Sequence, residues 1–122
     1  MMSKTEQIAF LYEHQKKYGF WEKINLYRDV SSECGAYNLE IVLSEYPFEW
    51  NATKLVLLFT EVKQLEMGDI NNLFQLVISI DDIRQFQMER IGYAVREIEY
   101  DCFSFMCNDF IIELRNRPDY DK

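Results

Sequence analysis

The sequence lacks most of the residues and patterns that would declare a particular chemistry. Its 122 residues include one histidine, three cysteines, four glycines and two prolines. It has none of the patterns typical of phosphate-binding loops, dinucleotide-binding turns, zinc proteases, serine hydrolases or EF-hands. The odd number of cysteines, without a CxxC pair, argues against a disulfide framework and is typical of a reducing compartment. We therefore expect no cofactor, no metal and no enzymatic activity.

Long hydrophobic segments are also missing. The longest strictly apolar run is LVLLF, residues 55–59, whereas a helix needs ~20 apolar residues to span a bilayer. The opening stretch MMSKTEQIAF is too polar for a secretory signal. These features predict a cytoplasmic protein that does not enter a membrane.

The chain has fewer basic than acidic residues. The chain has 21 acidic and 13 basic residues, a formal net charge of −8. A domain this acidic should be repelled by nucleic acid and anionic membranes and attracted to basic proteins. Alternatively, the charge serves solubility alone. With 48% hydrophobic and 16% aromatic residues, the composition is that of one globular domain over residues 1–122.

The first segment has the pattern of an amphipathic helix. Ser3 and Glu6 form a capping box. An apolar stripe at helical spacing follows and includes Ile8, Leu11, Tyr12 and Gln15. Gly19 is a natural stop, so we predict a helix over about residues 4–18.

Most of residues 21–116 alternates with period two, which predicts about six strands. Short connections favour antiparallel pairing, because parallel strands need long crossovers. The predicted fold is therefore α+β: an N-terminal helix followed by a mostly antiparallel sheet. The segment 53–62 is apolar on both faces and predicts a central strand. Residues 81–92 are either a short helix or a loop, and residues 117–122 form a loose tail. The side chains predicted to point inward are Ile24, Leu26, Leu39, Ile41, Leu43, Phe74, Leu76, Ile78 and Ile80.

The stretch CFSFMCNDFIIEL, residues 102–114, concentrates cysteines and phenylalanines. We predict a C-terminal β-hairpin that turns at Asn108–Asp109, since asparagine tolerates the backbone of such turns. Cys102 and Cys107 are then five residues apart on one strand, on opposite faces and ~16–17 Å apart. A disulfide or a shared zinc ion is excluded by that spacing, and Cys107 is expected to be a small buried hydrophobe. His14, the single histidine, lies off the apolar stripe and has no evident catalytic partner.

Three acids, Glu97, Glu99 and Asp101, share one face if they continue a single strand. Such a row has three interpretations: the solvated side of a half-buried strand, a site for a hard cation, or a surface for a basic partner. Asp81 and Asp82 extend this patch in the third interpretation. Phe48 and Trp50, in the proline-containing segment SEYPFEWNATK, are the predicted aromatic anchors.

Over residues 39–114 the chain resembles small bacterial proteins that include the immunity proteins of polymorphic and contact-dependent toxin systems. The resemblance rests on two patterns. One is an F-x-x-V-x-x-L strand, and the other is a closing E-x-D-x-x-S-F-x-C-x-D-F segment. The matching residues are Phe59, Val62, Leu65, Glu99, Asp101, Ser104, Phe105, Cys107, Asp109 and Phe110. It implies a non-enzymatic inhibitor that masks a cognate toxin, with no catalytic residues to transfer.

The leading hypothesis is therefore a protein that binds a basic toxin domain through an acidic, aromatic-bearing surface. Two other classes remain open. One is a small enzyme or small-molecule binder with a pocket in the sheet. The other is a structural homo-oligomer that assembles through a free sheet edge. The partner's identity and the oligomeric state are not encoded in any recognisable pattern.

Overall fold

The described residues form one α-helix followed by eight strands, as seen in a computed structural model. The structure describes residues 2–31, 35–49, 51–71, 73–86 and 91–116. The elements are α1 Lys4–His14, β1 Phe20–Arg28, β2 Tyr37–Ser44, β3 Thr53–Thr60, β4 Lys63–Met67, β5 Ile78–Asp82, a 3-10 turn Arg84–Phe86, β6 Tyr93–Glu97, β7 Phe103–Cys107 and β8 Asp109–Asn116. The predicted α+β class is confirmed. The predicted tail, residues 117–122, lies outside the described residues.

Helix α1 begins as the sequence predicts and ends earlier. The Ser3 hydroxyl accepts from the Glu6 N–H and the Glu6 carboxylate accepts from the Ser3 N–H, which completes the capping box. After His14 the chain turns, because the Lys17 and Tyr18 amides both donate to the His14 carbonyl. Gly19 then passes close to another segment: a Cβ there would lie 2.4 Å from Gln75 Cγ. Glycine is needed for this approach.

The strands form two four-stranded antiparallel sheets, ordered β1-β2-β3-β8 and β4-β7-β6-β5. Two long strands bend from one sheet into the other, β3 into β4 and β7 into β8. Their pairing continues across the bend, with Thr60 opposite Asp109 and Lys63 opposite Met106. Eight strands are therefore seen where about six were predicted, because each bent strand is divided in two.

The predicted C-terminal hairpin is wrong. β7 pairs with β4 and β6, whereas β8 pairs along its whole length with β3. At the corner the Asn108 N–H donates to the Thr60 carbonyl at 2.9 Å. Residues 103–116 are thus one bent strand that crosses between the sheets, and Cys107 does not face Phe110 across a ribbon.

The core lies between the two sheets. Its buried side chains include Leu11, Leu39, Ile41, Leu43, Leu55, Leu57, Phe59, Leu76, Ile78, Ile80, Tyr93, Val95, Phe103, Phe105, Cys107, Phe110 and Ile112. The inward positions predicted in β2 and β5 are confirmed. Those predicted in β1 are wrong: Ile24 and Leu26 are exposed, because β1 is the outermost strand of its sheet.

The segment 53–62 is buried on both faces, as predicted for a central strand. Leu55 and Leu57 enter the core, while Lys54 and Val56 are buried on the other face. Lys54 is a buried cation, and its Nζ lies 2.8 Å from the Glu22 carboxylate and 2.9 Å from the Glu49 carbonyl. Buried charges are tolerated when paired in this way.

Helix α1 contacts β8 and β5, each of which is one of the two edge strands of its sheet. Gln15 bonds both backbone groups of Ile78, at 2.8 and 3.1 Å, and the Tyr12 hydroxyl does the same for Ile80, at 3.1 and 3.2 Å. On β8, the Gln7 side chain accepts from the Ile112 N–H at 3.0 Å. These side chains replace a neighbouring strand, so the helix closes two sheet edges.

Residues 81–92, predicted as helix or loop, include one 3-10 turn at Arg84–Phe86; residues 87–90 lie outside the described part. No helix within the described ranges has both the length and the apolar character required to cross a bilayer.

Candidate partner-binding surface

Four aromatic side chains meet at the end of the molecule where β1 begins. We call Phe20, Tyr46, Phe48 and Phe74 the aromatic cluster. The Phe20 ring is 5.7 Å from Tyr46, 6.0 Å from Phe48 and 5.3 Å from Phe74 between centroids. Tyr46, Phe48 and Phe74 are 64%, 60% and 67% exposed. Contiguous exposed aromatics of this size are typical of an interaction surface.

A groove of about 440 Å³ runs beside the cluster. Its walls come from the first half of β1, residues 20–24, from Met67 at the end of β4, and from Ile70 and Leu73 in the connection that follows. Its lining is mostly apolar, and Met67 and Ile70 are themselves exposed. The groove is therefore a surface feature, unlike the enclosed pocket that most small-molecule sites require.

The three acids predicted to share a strand face do not do so. β6 ends at Glu97, whose side chain is buried. Its carboxylate accepts four backbone N–H groups, from Val77, Glu99, Tyr100 and Cys102, at 2.8 to 3.4 Å. Burial raises the pKa of Glu97, but these hydrogen bonds outweigh burial and lower it overall. Glu97 fixes the loop that follows and offers no exposed carboxylate to a partner.

The other two acids stand on that loop. Glu99 and Asp101 are exposed, and Asp101 has a positive φ of 54°. Between them, the Tyr100 hydroxyl accepts from the Phe74 N–H at 3.0 Å, which attaches the loop to the aromatic cluster. The Gly68 N–H donates to the Cys102 carbonyl at 2.8 Å and places exposed Asp69 near the same loop. We call Asp69, Glu99 and Asp101 the acidic rim.

Asp81 and Asp82 do not extend the rim. Both are exposed on β5, but Asp82 pairs with Tyr93 at one end of the β5–β6 ladder while Glu97 pairs at the other. Asp82 is also engaged by the Arg84 guanidinium at 2.6 Å. The hydrogen bond from Arg84 lowers the pKa of Asp82. The predicted single acidic patch is therefore two separate regions.

Comparison with known protein families shows a match to the family model described as immunity protein PIM8, over residues 3–113. The chain belongs to this immunity protein family. The match spans α1 and nearly all the strands, so the resemblance predicted from residues 39–114 is confirmed and extends to the N-terminal helix. No curated protein and no solved structure matches the chain.

Only part of the aromatic cluster could be predicted from the sequence. Phe48 was predicted as an anchor and lies in the cluster, whereas Trp50 lies outside the described residues. Tyr46 precedes Pro47 and Phe48 follows it, so the sequence around this proline could have identified Tyr46 as well. Phe74 was predicted to be buried and is exposed, because β5 begins only at Ile78. A lone bridge between Phe20 and Gln75 brings Phe74 to Phe20, and no local pattern encodes it.

The two thiols that the structure describes are poor nucleophiles. Cys102 and Cys107 are free and buried. Burial raises the pKa of each to about 12, and the neighbouring Glu97 carboxylate adds to the effect at Cys102. Cys34 lies outside the described residues. Within the described ranges, no three His, Cys, Asp or Glu side chains group as a metal site would require.

His14 is occupied by its own helix. The ring stacks on Phe10 with centroids 3.9 Å apart, and Nδ1 lies 2.9 Å from the Phe10 carbonyl. It is half-buried, not the solvated residue that its position off the apolar stripe predicted.

Proposed function

We propose that this protein neutralises a cognate toxin by binding it, without catalysing a reaction. The single observation that carries the immunity role is the family match across residues 3–113. Binding is favoured over catalysis by the thiols, which are held protonated, and by the histidine ring, which is stacked within its own helix.

The partner is proposed to be a basic protein domain. The net charge of −8 supports this, because it accelerates encounter with cationic surfaces and opposes binding to nucleic acid or anionic membranes. Of the five acids predicted to bind a partner, Glu99 and Asp101 are exposed and lie on the loop that is bonded to Phe74 of the aromatic cluster. We place the encounter in the cytoplasm, where the free thiols are stable.

The experiment is co-production with a candidate cognate toxin domain. Growth should be rescued only when the immunity protein is at least equimolar with the toxin, because an inhibitor that acts by contact is consumed by each molecule it masks. A purified mixture should form a stoichiometric complex whose association slows as salt rises. Rescue at strongly substoichiometric levels would indicate turnover and contradict the non-enzymatic proposal. Absence of both rescue and complex would contradict the immunity role with this toxin.

A further inference from the structure

The groove and the aromatic cluster combine two properties that favour one kind of side chain. The Phe48 and Phe74 rings are exposed and pack edge-on against the half-buried Phe20 ring. The loop that carries Glu99 and Asp101 is bonded to Phe74 through the Tyr100 hydroxyl. An aromatic face attracts a cation through its quadrupole, and a carboxylate attracts the same cation by charge. The two attractions point to a single positively charged occupant.

The loop backbone that carries Glu99 and Asp101 is held in place before a partner binds. It is fixed by three hydrogen bonds to the buried Glu97 carboxylate, from Glu99, Tyr100 and Cys102. No ion pair joins Asp69, Glu99 or Asp101 to another described residue, whereas Asp82 already pairs with Arg84. A pre-organised carboxylate loses little conformational entropy on binding. The rim is therefore better placed than the Asp81–Asp82 region to receive an external cation.

We propose that the aromatic cluster and acidic rim together bind an arginine of the cognate toxin, with its guanidinium stacked on the rings and hydrogen-bonded to Glu99 or Asp101. The proposal rests on the proposed function and specifies its partner. Arginine is favoured over lysine because a planar guanidinium both stacks on a ring and pairs with a carboxylate through two parallel hydrogen bonds. The neighbouring groove, lined by Ile24, Met67 and Ile70, would take the apolar side chains that flank the arginine.

The first test uses a hexa-arginine peptide and NMR, so it does not depend on the toxin. The peptide should shift the ring resonances of Phe20, Phe48 and Phe74 and the amides of residues 98–101. A hexa-lysine peptide should shift them less. The double variant Glu99→Gln, Asp101→Asn should lose the response; asparagine tolerates the positive φ at residue 101.

The control is the double variant Glu13→Gln, Glu113→Gln, which removes the same charge from α1 and β8 and should keep the response. Equal shifts with both peptides would overturn the choice of arginine. Shifts centred on Asp81 and Asp82 would overturn the choice of surface.

The second test uses the toxin domain itself. Phe74→Ala should weaken the complex by about 10- to 30-fold, the effect of losing a hot-spot aromatic, because its exposed ring contributes to binding more than to folding. Ile111→Ala, an exposed apolar residue on β8, should change affinity less than about 2-fold. If wild-type protein binds the toxin and Phe74→Ala binds equally well, this surface is wrong while the immunity function stands. If wild-type protein does not bind, both proposals fail.

Discussion

The edge strands of the two sheets differ in whether other side chains cover their outer backbone groups. At β5 and β8, the side chains of α1 bond the outward backbone groups of Ile78, Ile80 and Ile112, and Lys4 Nζ reaches the Phe110 carbonyl at 2.5 Å. At β1, the bridge between Phe20 and Gln75 is followed by residues 23–28, which are exposed. Exposed edges invite pairing with other chains. The α1 side therefore supports the fold, whereas the β1 side is where we propose that the partner binds.

The two sides also differ in the side chains that surround their edge strands. On the α1 side, Gln7 and Gln15 are buried and each bonds a strand backbone. On the β1 side, large apolar side chains are exposed instead, among them Tyr46, Phe48, Ile70 and Phe74. Unpaired buried polar groups cost stability, whereas exposed aromatics cost solubility and are retained where a partner covers them. Substitutions should therefore separate stability from binding.

Among the polar contacts, the largest effect on stability should come from Glu97, which anchors the loop of the acidic rim. Glu97→Gln should lower the free energy of unfolding by about 3 kcal/mol, because an amide cannot accept the four backbone N–H bonds as the carboxylate does. Urea denaturation would measure it. The neighbouring exposed Glu99→Gln should change stability by less than about 0.5 kcal/mol. Equal effects at both positions would show that burial of the Glu97 carboxylate is wrong.

The edge-closing role of α1 predicts the next effect. Gln15→Ala should cost about 2 kcal/mol, because both the N–H and the C=O of Ile78 lose their partner. Gln85→Ala, at an exposed glutamine in the 3-10 turn, is the matched control and should be nearly neutral. If Gln15→Ala were as mild as the control, the free edge of β5 would not depend on the helix.

The pH dependence gives a smaller effect with a defined sign. The pKa of Glu97 is lower in the folded protein than the ordinary carboxyl value, so its ionised form stabilises the fold above that ordinary value. This contribution is lost as pH falls through the folded pKa. The stability difference between wild type and Glu97→Gln should therefore shrink as pH falls below the ordinary carboxyl value and through the lowered folded pKa. A difference that grew on acidification would contradict the lowered pKa.

The smallest effect on stability is expected in the aromatic cluster. Phe74→Ser should change the free energy of unfolding by less than about 1 kcal/mol, since two thirds of the residue is already exposed. Thermal unfolding would measure it, with the buried Phe59→Ser, expected to cost more than about 3 kcal/mol, as the contrast. A large loss at Phe74 would make the cluster part of the fold and break the comparison between the two sides.

Local patterns predicted much of this fold because they act over a few residues. The capping box located the start of α1, and period-two alternation identified the buried positions of β2, where Leu39, Ile41 and Leu43 all enter the core. The pairing of β8 with β3 was missed, because Asn108 has the composition of a hairpin turn and the bend that carries β7 into β8 leaves no local mark. Pairing between distant strands is decided by the packing of the whole core.

The candidate site was harder to predict for the same reason. Glu97, Glu99 and Asp101 alternate as if on one strand face, but the strand ends at Glu97 and its carboxylate turns inward to bond the loop. The aromatic cluster unites residues from three separate stretches of sequence. Composition indicated that aromatics and acids would matter, and only the tertiary structure placed them together.

Hydrogen–deuterium exchange on the complex with the toxin domain tests the division between the two sides most directly. The account predicts new protection at residues 20–24, 45–49, 67–71 and 98–101, with little change in α1. New protection confined to α1 and β5 would contradict it.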